Sequence, residues 1–269
     1  MHGNYNQGLV KTTEDKYREI RLRRSSVLNE TALLREITIN QILKALPSDE
    51  LARLSSAAEK VNFSGGESIF QPDDRIEFMY FPETAVISQY QILEDGRTCE
   101  IALIGREGVL GMPALFGFQS ATCWTDVIVA GSALKINKDY LQHRFENNSP
   151  LKMTIFRYMN AYLEQISQRT VCNCHHRIEE RFCNWLLMLQ ARNGNDKLLL
   201  TQEQMARCIG VHRPSLTCIA KKLREDGIIK YSRGRIEILN REELENSACS
   251  CYKAAAANNS FAAAASVVM

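Results

Sequence analysis

The chain has 269 residues, 45% hydrophobic and 24% charged, with a formal net charge of +2. That is long enough for two modest domains, and the composition excludes a chain that stays largely unfolded. No apolar run approaches the roughly 18 residues of a membrane span, and the N-terminal MHGNYNQGLVKTTEDKYR lacks the apolar core of a signal peptide, so a cytoplasmic protein without membrane contact is expected. The nine cysteines are odd in number and none precedes Cys99, which reads as free thiols in a reducing compartment.

Residues 1–38 form a polar arm whose basic stretch, Lys16 to Arg24, reads as a solvated or partly helical segment. From Asn40 the spacing of Ile42, Leu43 and Leu46 predicts a helix. Pro47-Ser48-Asp49 stops and restarts it, and Leu51, Leu54 and Ala58 continue the pattern. Between 61 and 138 the period changes to short apolar runs separated by Gly65-Gly66, Pro72-Asp73-Asp74, Asp95-Gly96 and Gly105-Arg106-Glu107-Gly108. This predicts a small antiparallel barrel or sandwich, with a two-residue hairpin at Asp95-Gly96. The charged turn at 105–108 reads as surface rather than as an anion-binding loop. The β-barrel domain so defined covers 39–149.

Residues 150–174 predict a long helix and a hinge. Two apolar stripes run along it: Phe156, Met159, Leu163, Ile166 and Thr170, and beside them Leu151, Ile155, Tyr158 and Tyr162. Two stripes need two partners. The first is expected to be a homodimer seam, and the second to lie on the barrel with its tyrosine hydroxyls wet. A helix buried within one subunit satisfies the same pattern. Residues 177–192 form another helix, with Ile178, Phe182, Trp185, Leu186 and Leu189 on its apolar face. Residues 248–269 read as a low-complexity tail.

The strongest signal lies in 198–241, within a domain assigned to 175–247. Thr201 and Gln204 make a capping box before Met205, Ala206 and Ile209, and Gly210 permits a sharp turn plugged by Val211. Pro214 suits the first turn of a second helix, which Ser215 and Leu216 open and which continues through Ile219, Ala220 and Leu223. A two-stranded wing follows at 228–239. This segment holds nine lysines and arginines against four acids, so the basic excess sits where phosphate contact would need it. No nucleophile–base pair, phosphate loop or HExxH spacing points to an enzyme.

The order of barrel, long helix, hinge and winged helix-turn-helix, with TQEQMARCIGVHRPSLTCIAKKLREDGIIKYSRGRIEI, resembles the Crp/Fnr family of bacterial regulators over about residues 40–245. The resemblance implies an α+β protein. It would have an N-terminal antiparallel β-barrel of the cyclic-nucleotide-binding-like jelly-roll type, a long dimerisation helix and a C-terminal winged helix-turn-helix. Its partner is double-stranded DNA, read at an inverted repeat by the homodimer, and an activator of this kind also contacts RNA polymerase. Arg213 falls on the family's base-reading arginine position, with Ser215 and Thr217 as further base contacts. His212, Lys221, Lys222, Arg233 and Arg235 would hold the DNA backbone. Pro214 and Cys218 depart from the family's reading positions, so its usual half-site does not carry over.

Relatives that bind cyclic nucleotides use Gly-Glu and, some ten residues on, an arginine that neutralises the phosphate. Here Met112 follows Gly111, and no lysine or arginine occurs between Arg106 and Lys135. A buried phosphate would lack its cation, so no cyclic nucleotide is expected. No cofactor is expected either, and the effector is left open. Cys172-Asn173-Cys174-His175-His176 has metal-ligand character. The alternative reading is therefore a redox- or metal-responsive regulator sensing through Cys172, Cys174, His175 and His176. Neighbours on a continuing helix point different ways, however, so such a site would draw ligands from a partner subunit. Ordinary hinge thiols are the expectation, and Cys249-Ser250-Cys251 is assigned to the tail.

Overall fold

The computed structural model describes residues 38–252. The basic stretch at 16–24 and the alanine-rich end from 254 lie outside the described residues. No helix among those described is long and apolar enough to cross a membrane.

Asn40 starts the fold by capping α1 (Gln41–Lys44): its Oδ1 accepts from the Ile42 and Leu43 amides. Its buried Nδ2 donates to the carbonyls of Pro82 and Gly108, at 2.9 and 3.0 Å, which pins the chain's entry to the sensor sheets. α2 (Ser48–Ser56) follows Pro47. Seven strands then form two antiparallel sheets. β1 (Glu59–Phe63), β7 (Gly131–Asn137) and β3 (Phe78–Pro82) make the first, in that order. β2 (Ser68–Phe70), β6 (Trp124–Val129), β4 (Val86–Ile92) and β5 (Thr98–Ile104) make the second. Phe70 and Tyr80 meet edge-on between them, and Ile87, Ile104, Met79, Phe81 and Ile136 fill the jelly-roll interior. A 3-10 helix, Met112–Phe116, crosses between β5 and β6.

The β4–β5 turn is not the two-residue hairpin expected from Asp95-Gly96. Leu93 N donates to Arg97 O at 2.7 Å, enclosing the three residues Glu94, Asp95 and Gly96. Asp-Gly suits that loop as well, because one left-handed position follows a type I turn.

After α3 (Lys138–Asn147) comes α4 (Ser149–His175), 27 residues capped by Asn148. At 1.5 Å per residue it is about 40 Å long. It passes through the region assigned to the hinge, and the chain turns only at His176-Arg177 before α5 (Ile178–Asn193). Leu151, Ile155 and Tyr158 are buried against the sensor. The tyrosine hydroxyls are not wet, as expected from sequence, but reach into the sheets. Tyr158 Oη donates to Val109 O at 3.4 Å and Tyr162 Oη to Gln89 Oε1 at 2.7 Å. Burial pushes both hydroxyls' pKa values upward, so they remain neutral donors.

α5 is covered on nearly every side from Phe182 to Gln190. Around it lie β8 (Lys197–Leu199), α6 (Gln202–Ile209), α7 (Arg213–Glu225), β9 (Ile229–Ser232), β10 (Arg235–Ile238) and α8 (Arg241–Ser247). The wing is a three-stranded sheet in the order β8-β10-β9, one strand more than the sequence indicated. Leu198-Leu199-Leu200 has no alternation to mark it as a strand, yet Leu199 pairs with Arg235. The chain also stays packed beyond 247: Cys249 and Cys251 are buried and Tyr252 lies on the core of α5, so the assigned tail begins too early.

Candidate functional site

α6 and α7 form a helix-turn-helix whose geometry follows from local chemistry. Thr201 Oγ1 accepts from Gln204 N at 3.2 Å, and Gln204 Oε1 accepts from Thr201 N at 2.9 Å, closing the capping box. Gly210 ends α6 at φ 72, a left-handed position that L side chains disfavour. α7 starts at Arg213, two residues before Ser215, because Pro214 sits within its first turn. Met205, Ala206, Leu216, Ala220 and Leu223 are buried in the shared core, which leaves the opposite face of α7 to solvent.

That free face carries Arg213, Ser215, Thr217, Cys218 and Lys221, all exposed. Gln202, at the start of α6, was not singled out by sequence. Its Oε1 accepts from Arg213 Nε at 3.4 Å and from Thr217 Oγ1 at 3.2 Å, bridging the two helices beside that free face. His212 is the exposed N-cap of α7. The wing turn places Arg233 at φ 49 and Gly234 at φ 75, the two left-handed residues of a type I′ hairpin, with Arg233 and Arg235 exposed at its tip. Lys222 differs from the other basic residues: its Nζ is held by Glu179 of α5 at 2.7 and 2.9 Å. That carboxylate raises the Lys222 pKa, first through the hydrogen bond.

The sensor packs directly on this reader. Val86, Leu103 and Ile128 of the four-stranded sheet share one apolar cluster with Trp185, Leu186 and Met205. Within the interface the buried Glu100 accepts from Ser88 Oγ (2.8 Å), Trp185 Nε1 (3.0 Å) and Arg169 Nη2 (2.9 Å). Asp126 accepts from Tyr90 Oη at 2.9 Å and pairs with Arg207 of α6 at 2.8 Å, while the Arg207 guanidinium lies 4.7 Å over the Tyr90 ring. Burial, followed by the bond to Asp126, pushes Tyr90 up to about 12. The turn at 105–108 is no free surface loop: Glu107 pairs with Arg192 at 2.7 Å, and Arg106 donates to Ala191 O at 3.0 Å. The β4–β5 hairpin meets the reader's turn through Thr98 Oγ1, which donates to Arg207 O at 2.9 Å.

Behind the sensor, an open groove of about 820 Å³ lies between the 3-10 helix and α4, lined among others by Met112, Pro113, Phe116, Met159, Tyr162 and Leu163. Its lining residues include Asp73 and no lysine or arginine.

The Cys/His cluster is arranged otherwise than its sequence order suggested. Cys174 and His175 are exposed. Cys172 and His176 instead converge with Cys249 and Cys251, and the four ligand atoms all lie within 4.8 Å of one another. The second half of the set comes from the same chain, not from a partner subunit. The pKa of Cys249 is held below the ordinary thiol value, first by the bond from the Cys172 thiol, whose own pKa is pushed up.

A winged helix-turn-helix with an exposed, basic outer face, held under a jelly-roll domain, is the architecture of a DNA-binding regulator. Comparison with known proteins agrees with both halves. Residues 180–247 match the Crp-like helix-turn-helix domain, and residues 60–148 match the cyclic nucleotide-binding domain. The chain is 22% identical over 189 residues to the global nitrogen regulator of Nostoc sp., covering 65% of this chain and 83% of that one. To the global nitrogen regulator of Synechococcus elongatus it is 22% identical over 191 residues, covering 66% and 84%. Among solved structures it shares the fold of FixK2 from Bradyrhizobium japonicum, with a TM-score of 0.61, 18% identity and coverage of 72% and 98%. It likewise shares the fold of the c-di-GMP responsive global regulator CLP of Xanthomonas campestris, with a TM-score of 0.59, 16% identity and coverage of 71% and 99%. The chain belongs to the Crp/Fnr family, a family of DNA-binding transcription regulators.

Proposed function

We propose that this regulator works as a homodimer that reads an inverted repeat. In this reading the sensor is 39–149, α4 joins the subunits, and the reader extends from Arg177 to Tyr252. The observation that carries it is the outer face of α4. Phe156 is 39% exposed and Leu163 55%, with Met153 and Val171 also open, on a helix whose opposite face is buried. Each such half-exposed side chain recovers roughly 1 kcal/mol on burial, and a two-fold seam counts every one twice. Phe156, Met159, Leu163, Ile166 and Thr170 form that seam. Two readers then sit about one DNA turn, roughly 34 Å, apart. Arg213, Ser215 and Thr217 read base edges; His212, Lys221, Arg233 and Arg235 hold phosphates. Lys222 joins them only by leaving Glu179. If the protein activates transcription, it also contacts RNA polymerase. Leu163→Glu tests the seam: sedimentation should give a folded monomer with greatly weakened operator binding. A variant still fully dimeric at micromolar concentration refutes this interface.

The groove beside Met112 supports an effector that is apolar rather than a cyclic nucleotide, because a phosphate there would meet Asp73 and no cation. Cyclic AMP and cyclic GMP should leave DNA affinity unchanged. Micromolar binding of either in a calorimetric titration contradicts this.

A further inference from the structure

Three thiols and an imidazole meet where the long helix hands over to the reader, and the regulator reading makes no use of them. Cys172 lies in the last turns of α4, and His176 follows four residues later on the same face, at the residue that ends the helix. Cys249 and Cys251 arrive from the segment after α8, where Tyr252 N donates to Cys249 O at 3.1 Å and folds the Cys-Ser-Cys stretch into a turn. Cys172 is 1%, Cys249 5% and Cys251 4% exposed.

We propose that Cys172, His176, Cys249 and Cys251 form a closed, mononuclear zinc site that clips the end of α4 to the C-terminal end of the reader.

Size is the first argument. Zinc bonds of about 2.3 Å to sulfur and about 2.0 Å to nitrogen place tetrahedral ligands roughly 3.5–3.8 Å apart. Cys172 Sγ and Cys249 Sγ are 3.5 Å apart, and Cys251 Sγ and His176 Nδ1 are 3.4 Å apart. A polynuclear iron–sulfur cluster needs its cysteines spread around several irons, wider than a set confined within 4.8 Å. Ligand type is the second argument: three soft thiolates and one imidazole in a four-ligand set select zinc, and a set with no open position is structural rather than catalytic.

The surroundings are the third argument. Gln168 Nε2 donates to Cys251 Sγ at 2.8 Å, and Asn184 Nδ2 donates to Cys249 Sγ at 3.3 Å and to Cys172 Sγ at 3.8 Å. Amide donors aimed at sulfur spread the negative charge of metal-bound thiolates and fix their orientation. They come from α4 and α5, so the site gathers both sides of the turn at His176-Arg177 together with the C-terminal segment. The metal would set the angle at which the reader leaves the long helix.

Metal analysis of the freshly purified full-length protein tests this without DNA, so its failure and the failure of the dimeric-reader proposal are separate outcomes. Wild type and Cys174→Ser, which alters an exposed thiol outside the set, should each hold one zinc per chain. Cys249→Ser should lose zinc affinity by at least about 10-fold, the minimum seen even for losses outside the ligand shell. Because loss of a buried side chain can also impair folding of that variant, the wild type supplies the second readout. Stripped of metal and given cobalt(II), it should show the intense visible bands of a tetrahedral thiolate-rich site. Chelation should also raise amide exchange across 241–252. Wild type that takes up no cobalt, an iron cluster in place of zinc, or full zinc retained by Cys249→Ser would each overturn the site.

Discussion

Arg213 leaves the first turn of α7 with its side chain exposed and, among the described residues, a long bond to Gln202 as its restraint. A planar fork held in that way can bond two acceptors of one guanine together. Arg213→Ala should therefore cost about 1–3 kcal/mol on the operator and relax discrimination at one base pair. Among the described residues Lys221 makes an exposed 3.6 Å pair with Glu225 on its own helix, weak enough to give way to a phosphate. Lys221→Ala should weaken specific and random duplexes alike and flatten the salt dependence. Binding isotherms for both variants on both duplexes, at several salt concentrations, distinguish the roles; identical behaviour would refute the assignment. Sequence placed Lys222 alongside Lys221 because adjacent bases on a helix look equivalent. The structure separates them, because the helical turn carries Lys222 round to Glu179.

At the scale of the element, the turn between α6 and α7 depends on Gly210 twice. The position is left-handed, and a Cβ there would stand 3.1 Å from the Thr98 carbonyl of the sensor hairpin. Gly210→Ala should destabilise the protein by about 1–2 kcal/mol from the backbone alone, read as a lower urea midpoint. An unchanged midpoint would show that the turn relaxes freely. The two stripes of α4 were legible in the sequence because a 3.6-residue period writes itself into the spacing of apolar residues. That the tyrosines turn inward was not legible. An amphipathic ring packs equally well with its hydroxyl wet or bonded, and the partners, Val109 O and Gln89 Oε1, lie 49 and 73 residues away.

Across the whole molecule, one apolar cluster runs from the four-stranded sheet into the helix-turn-helix domain. The outer face of β4, β5 and β6 is capped by α5 and α6 rather than by water, and Glu100 sits inside that contact with three donors on its carboxylate. Removing it takes the counter-charge from the buried Arg169, which keeps its bond to Cys208 O, and the acceptor from the buried Trp185 N–H. Glu100→Ala should cost about 3–5 kcal/mol, as for one partner of a buried pair. Because apolar cluster and ion pairs both cross the boundary, calorimetry of the wild type should show one cooperative transition. Two resolved transitions in the wild type would contradict the shared core.

The sequence by itself determined the order of domains, the helix-turn-helix with its capping box and the wing's basic tip. Each of these is encoded by neighbours within a few residues of one another, and local propensity and period act at that range. Tertiary structure alone decided which residues meet across the chain. It placed the face of the four-stranded sheet on the reader and put Glu107 on Arg192. It also drew Cys172 and His176 away from Cys174 and His175 toward Cys249 and Cys251. The reason is geometric: on a helix, residues two apart point to opposite sides, so contiguous cysteines rarely share a site. Their partners are fixed instead by where another segment, 77 residues further along the chain in the case of Cys249, is delivered by the packing of everything between.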